Sequence, residues 1–271
     1  TAISTVDTGL LLMGAITVGE YFGGKIKAYA DQLVEQCNWS AFTDHENKQV
    51  FMAWEPDDEN HLTGIGKFHP VLWDYFSDEA IINNLLGTAC PKADFALPAD
   101  YHYHWARNKG QYHPATPGYQ STDEFVHSYS GALFTYQFAH LWIDFKSLGS
   151  DQPEKYGHNN QPAINWYDNS STAMDAAWLF AVDNSHASKT YGPYGWGFTA
   201  HTSIDGYHVG AIIPRGEKEQ GIFLNGEIAE SQWLKIQGVK LIKTTENLNA
   251  RALSAANVFT MIHECGSSAH V

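Results

Sequence analysis

Apolar residues near the start of the chain fall on every side of a helical wheel. Between Thr5 and Phe22 the residues Leu10, Leu11, Met13, Ala15, Ile16 and Val18 leave no polar stripe, which predicts a helix buried all round and capped by Ser4 or Thr5. Gly23-Gly24 ends it. From about Lys25 to Cys37 the apolar positions Ile26, Tyr29, Ala30, Leu33, Val34 and Cys37 recur at the i, i+3, i+4, i+7 spacing of one helix face. Two helices joined by a Gly-Gly turn make an αα-hairpin. Val50–Trp54 reads as a short strand, and the acidic, glycine-containing stretch Glu55–Gly66 as a loop. Ser77 or Asp78 caps a helix over Glu79–Ala89. Prolines with alternating Tyr and His make 91–118 a long ordered loop, of the kind that often carries function.

Gly131–Leu148 reads as a third buried helix or a helix pair. Asn169–Val182 reads as a fourth, with Ala173, Ala176, Ala177 and Phe180 on one face. Tyr191–Ile213, rich in Gly and aromatics, predicts loop with short strand pieces, and residues 228–271 are helix-compatible. Successive helix pairs with long loops on one side predict an all-α protein of the (α/α)6 toroid type, complete or partial, as a single domain over residues 1–271. No linker, low-complexity tract or short-period repeat divides it.

Composition narrows the function. The 271 residues carry a net charge of −14 with only 17% charged residues, which argues against a nucleic-acid partner, since such proteins present basic patches. Aromatic residues make up 14% of the chain (9 Trp, 14 Tyr, 14 Phe), a composition that fits a neutral, polar ligand such as a glycan as well as a Trp-rich core. Three cysteines, Cys37, Cys90 and Cys265, give no disulfide framework and no zinc spacing. The apolar run at Gly9–Ile16 is too short and too interrupted to cross a membrane, so no membrane insertion is expected. Thr1 reads as a processed or trimmed start. Asn38-Trp-Ser40 and Asn169-Ser-Ser171 match the glycosylation sequon, a triplet common by chance. A nucleotide-binding loop is excluded because no GK[ST] follows Gly192, Gly195 and Gly197, and a serine-hydrolase elbow is absent.

Aromatics, histidines, amides and carboxylates are densest in Gln137–Phe145, Asn165–Ser171 and Tyr191–Phe198. Flat rings stack on sugars, and carboxyl groups perform acid/base chemistry on acetals. Glu79 opens a helix whose dipole favours the charged form, which suits a base; Asp78 and Glu79 could equally just stabilise that helix start. Asp168, beside Trp166 and Tyr167, suits a general acid if those rings bury it, or is an ordinary cap. Asp144 in its apolar frame Trp142-Ile-Asp-Phe145 needs a partner and reads as sugar-binding or structural. His140 and Asp144 are spaced to interact on a helix, although His140 could be a satisfied core histidine. Asp7 and Glu20 lie on the first helix and would face the centre of a ring. Trp73, Tyr75, Tyr194 and Trp196 are the stacking candidates, with core packing as the alternative. His102 and His104 would share a strand face as a metal pair, but no third ligand is evident, so neither metal nor cofactor is expected.

Five stretches carry a resemblance: Ser4–Phe22, Trp73-Asp-Tyr-Phe-Ser-Asp-Glu79, His140-Leu-Trp-Ile-Asp-Phe145, Tyr167-Asp-Asn-Ser170 and Tyr191–Ala200. In this order, over about residues 1–215, they resemble the bacterial glucoamylase-like family that contains the endo-β-1,2-glucanases. The resemblance implies an (α/α)6 barrel and inverting hydrolysis of a β-glucan, most directly β-1,2-glucan, by a secreted or periplasmic protein. Where that family has Glu before Asn-Ser, this chain has the shorter Asp168. Glu79 and Asp168 are then the paired carboxylates, with Asp144 and Glu20 in reserve, and Asp7, Glu20, Trp73, Tyr75, His140, Trp142, Tyr194 and Trp196 contact the glucan. A non-catalytic glycan-binding protein on the same fold is the second reading. A polysaccharide lyase is the third, disfavoured by only 16 Lys and Arg.

Overall fold

A computed structural model describes residues 2–57, 65–129, 131–186 and 191–197, and the backbone of 201–203 and 206–208. The elements run β1 (Ile3–Ser4), α1 (Thr5–Phe22), α2 (Gly24–Gln36), β2 (Thr43–Asp44), β3 (Gln49–Val50), β4 (Ala53–Pro56), β5 (Gly66–Phe68), α3 (Asp78–Thr88), β6 (Lys109–Gly110), β7 (Phe125–Val126), α4 (Phe145–Leu148), α5 (Trp166–Asp183), β8 (His201–Ser203) and β9 (Gly206–His208). Short 3-10 turns fill much of the rest. The expected helix at residues 228–271 lies outside the described residues.

The contacts divide into two compact units, one of Thr1–Arg107 with Thr135–Tyr167, the other of Asn108–Phe134 with the chain from Asp168 onward. In the first unit, Ser4 caps α1 by accepting the Asp7 backbone N–H at 3.2 Å, and Gly23, at φ 64°, closes its far end. The αα-hairpin forms as expected. Gly19 permits it, since a Cβ there would stand 2.9 Å from that of Ala30. On another side α1 meets α3 at Gly9, where a Cβ would lie 2.8 Å from the Asn83 amide oxygen. β1, β4 and β5 form an antiparallel sheet in which Ile3 pairs with Trp54, and Trp54 with Phe68. Beside this, Phe76 stacks on Trp166 with centroids 4.7 Å apart, and Trp105 and Tyr136 pack against Phe76.

Three expectations need correction. First, α1 is not buried all round: Gly9, Leu12, Met13 and Gly19 are covered, whereas Leu11, Val18, Tyr21 and Phe22 are exposed, as are Ile26, Tyr29 and Leu33 of α2. Among the described residues α1 packs chiefly on α2 and α3, and these reach only part of its circumference. Second, Gly131–Leu148 is not a long helix but 3-10 turns at Leu133–Tyr136 and Ala139–Leu141 followed by the single turn α4. The Ala139 N–H goes to the Asp78 carboxylate at 2.9 Å instead of to a carbonyl one turn back, and Asp144 starts a new helix by capping Ser147. A helix ladder cannot run through those two diversions. Third, residues 99–103 form a 3-10 turn and not a strand, so His102 and His104 do not share a sheet face.

The second unit is organised by α5, whose first two residues count with the first unit. Ala173, Ala176, Ala177 and Phe180 are buried as their spacing predicts. Two polar side chains on this helix tie down the loops. The Asn169 side chain accepts the Val126 N–H at 2.6 Å and donates to the Val126 carbonyl at 3.0 Å, mimicking a neighbouring strand. Buried and doubly bonded, it is no glycosylation acceptor, whatever its sequon suggests. At the helix's end, Asp183 accepts the Tyr112 hydroxyl at 2.9 Å and the backbone N–H groups of Ala115 and Thr116, both at 2.8 Å. A carboxylate at a helix C-terminus is disfavoured by the dipole, and these three donors offset that cost. Asp183→Ala, which strands all three, is expected to lower unfolding stability by about 2–4 kcal/mol in urea titrations. A loss below about 0.5 kcal/mol would show that the loop is held by something else.

Candidate active site

The carboxyl groups of interest meet where the first turns of α1 and α3 converge. Ser77 caps α3 by accepting the Ala80 N–H at 3.1 Å. The next two residues, Asp78 and Glu79, occupy the first turn. Asp78 is almost wholly enclosed, at 1% exposure, and burial pushes its carboxyl well above the usual range even though Ala139 donates to it. Glu79 is half-buried, and burial first, then the negative charge of Asp7, push its pKa up to about 7. The approach of α1 to α3 at Gly9 is what brings Asp7 close enough to act on it. The expectation that Glu79 is held ionised by the helix dipole therefore fails: lost hydration outweighs the half-charge of one helix terminus. Glu79 has the electrostatics of a proton donor.

The flanking groups belong to the same unit. Trp73 donates its indole N–H to Thr5 Oγ1 at 3.0 Å and is half-buried, while the Thr5 hydroxyl reaches the Phe51 and Met52 carbonyls. Tyr75 is half-buried and bridges to Ala106 as a strand fragment. His140 lies in a 3-10 turn against the rings of Phe145 at 4.7 Å and Tyr167 at 6.4 Å, with burial holding it neutral. Trp142 closes that turn and is half-buried.

Other expected site residues stand elsewhere. Asp144 is exposed, not buried; its carboxylate takes the Ser147 N–H and hydroxyl, which hold its pKa below the usual range. It does not share a helix with His140, because the chain breaks between them. Glu20 sits on the surface in an ion pair with Lys27 at 2.6 Å, so it does not face inward. Asp7 is exposed. Asp168 is exposed in the first turn of α5, without the enclosure that was to make it an acid. Tyr194 is 92% exposed, and Trp196 is half-buried; both belong to the second unit, as does Asp168.

Sequence reasoning missed two things. Asp78 was read only as a helix-start charge, yet it is the buried carboxyl that anchors the 139–141 turn. Arg107 was not singled out at all. Its guanidinium lies 4.8, 4.7 and 5.3 Å from the rings of Tyr103, Trp105 and Trp166 and donates to Asp151 at 2.7 Å. Asp151 also accepts the Ile164 N–H at 2.8 Å and the Trp166 indole at 3.1 Å. A basic residue beside Trp105 was the available signal; its acid, 44 positions away, had none.

These features sit on a known framework. The family described as "Putative glucoamylase" matches residues 71–230, more than half of the chain. The chain belongs to this glucoamylase-like family. The match begins just before Trp73 and runs past the point near residue 215 where the motifs become hard to follow by eye. Among solved structures, the chain is similar to the endo-β-1,2-glucanase from Chitinophaga pinensis, seen with sophorotriose and glucose (20% identity, TM-score 0.53, covering 79% of this chain and 49% of that one). It is also similar to the β-1,2-glucanase from Parabacteroides distasonis (18%, 0.55, 76% and 30%). A third is a "putative glucoamylase" from Bacteroides fragilis (21%, 0.54, 76% and 46%). At these identities the likeness is one of fold, and the chain spans a third to a half of the length of those proteins. No curated protein matches it. Among the described residues no helix is long and apolar enough to cross a membrane.

The Glu79 environment makes a pH-dependent prediction. Its folded pKa of about 7 exceeds the 4.5 of an unhindered glutamate, so the folded state holds the proton more tightly. The stabilising effect of that proton is full below about 4.5 and is lost as pH rises through about 7. Glu79→Gln removes the burdensome charge. It is expected to raise unfolding stability at pH 8 by about 1–3 kcal/mol relative to its effect at pH 4.5. The same change at both pH values in urea unfolding would contradict the assignment.

Proposed function

We propose that this chain is a glycoside hydrolase module on a helical toroid of the (α/α)6 type, acting on a β-glucan and most directly on β-1,2-glucan. The observation that carries this is Glu79, a carboxyl group near neutral pKa at the start of α3, inside the region that matches the glucoamylase-like family. Acetal cleavage needs a group that is protonated at working pH and can give its proton to the leaving oxygen. Glu79 is the proposed donor. Asp7, whose charge it feels, is an acidic neighbour in its own unit, and Asp168, expected from sequence to be the acid of the pair, becomes a candidate for the second carboxylate, to be tested by substitution. Trp73, Tyr75, His140 and Trp142 are proposed sugar contacts of the first unit, and Tyr194 and Trp196 are proposed, separately, as sugar contacts of the second; Asp144 and Glu20 are assigned surface roles. An inverting course, and secretion or periplasmic residence where glucans are met, complete the reading.

The exposure of Asp168 favours one rival, a glycan-binding protein without turnover. Linear β-1,2-glucan with proton NMR from the first minutes separates the two. New α-anomer ahead of mutarotation is expected, with kcat/KM falling as pH rises through about 7 and Glu79→Gln losing about 10²–10⁴-fold. Glucan that shifts tryptophan fluorescence without products would establish the binding reading. Unchanged turnover in Asp168→Asn would remove Asp168 from the reaction.

A further inference from the structure

Asp100, His104 and His158 converge on one point of the first unit. Each offers a ligand atom, and the three atoms lie within 4.8 Å of one another. Asp100 and His104 come from the 3-10 turn Ala99–Tyr103 and the residue that caps it; His158 follows Gly157, whose φ of 85° turns the chain back after the 3-10 turn Pro153–Tyr156. The imidazoles of His104 and His158 meet edge to face at 4.8 Å. The ring nitrogen Nε2 of His104 is buried and makes no hydrogen bond among the described residues, while it faces the Asp100 carboxylate at 3.6 Å. Buried polar nitrogens are ordinarily satisfied, and a ring nitrogen that faces a carboxylate and a second imidazole without a hydrogen bond has a donor arrangement suited to a cation.

We propose that Asp100, His104 and His158 form a binding site for a divalent transition cation of the zinc type, which clips the 99–104 turn to the 153–158 turn. Two imidazoles and one carboxylate are an established donor set for zinc, with water in the fourth position. Bonds of about 2.0–2.2 Å require the three atoms to draw together by roughly an ångström, a movement of side-chain torsions. Lys48 sets the affinity. Its ammonium lies 3.1 Å from Asp100 Oδ2, where it competes with the cation for that oxygen and repels it. Cation and ammonium alternate as counter-charges of one carboxylate. His102, which the sequence places near His104, is not part of the site: it is enclosed against Tyr103 and Trp105. This site is separate from Glu79 and does not depend on the proposed hydrolysis.

The test is zinc chloride titrated into chelator-stripped protein by calorimetry, with cobalt(II) as a spectroscopic probe. One zinc per chain is expected, with a tetrahedral cobalt spectrum and a melting temperature raised by about 5–10 °C at a hundredfold excess over Kd. His158→Ala and His104→Gln should each weaken zinc by about 10–100-fold or more while far-UV circular dichroism stays native. Lys48→Met should tighten it several-fold, an effect that a general stabilising role of these residues would not produce. Absence of one-to-one binding, unchanged affinity in a folded His158→Ala, or no gain in Lys48→Met would each overturn the site.

Discussion

The first unit depends on a buried carboxyl group at the head of a helix. Asp78 is enclosed where an aspartate is costly to hold, and it is tolerated because Ser77 has already capped α3 and because Asp78 can take the Ala139 N–H. That one hydrogen bond fixes much else. It interrupts what would otherwise be a helix through the 131–148 stretch, leaves His140 and Trp142 on a tight turn, and holds that turn against α3. Beside it, α1 can approach only because Gly9 lacks a side chain. The dry, acidic corner in which Glu79 gains its proton is thus a by-product of two packing constraints.

The structure uses charges in three distinct settings. The side chains of Arg107 and Asp151 are largely covered, one by the rings of Tyr103, Trp105 and Trp166 and the other by N–H donors, so the pair helps to organise the first unit. Removing either partner from such a pair strands the other, which is why pairs of this kind persist without adding much net stability. Glu20 and Lys27 form an exposed pair that water and salt screen, and it says little about stability. Glu79 belongs to neither class. It is desolvated and feels another negative charge, the arrangement by which proteins keep a carboxyl protonated near neutrality.

Local order was legible in the sequence; long-range order was not. Ser4, Gly23 and the apolar spacing gave α1 and α2 their limits, Ser77 gave α3 its start, and the Ala173–Phe180 face marked α5, because caps and periodicity act within one or two turns. The 131–148 segment defeated the same reasoning: its apolar pattern was compatible with a helix, and the residue that breaks the ladder is Asp78, about sixty positions earlier. Of the candidate site, Glu79 could be located by its place after Ser77, but the sign of its pKa shift could not, since a helix dipole is readable from sequence and desolvation is not. His158 as a third companion of Asp100 and His104 lay beyond any spacing rule. The exposed flank of α1 and α2 follows from the same limit, since a helix that is apolar all round shows that burial is needed but not which segment supplies it.

The balance of effects at Glu79 bears on which half of the chemistry the first unit can supply. A base that activates water must be ionised before the reaction begins, and a helix start that was hydrated would have kept Glu79 so. The geometry does the opposite, because α1 excludes water and places Asp7 alongside. Asp7 is exposed and solvated where Glu79 is half-buried, so the two carboxyl groups stand in unequal surroundings. On the proposed hydrolase reading, the carboxyl in the drier surroundings, Glu79, would be the one that holds the proton acid/base chemistry on an acetal requires. The helix crossing at Gly9 therefore sets the surroundings of Glu79 as well as the packing, and a side chain there would disturb both together.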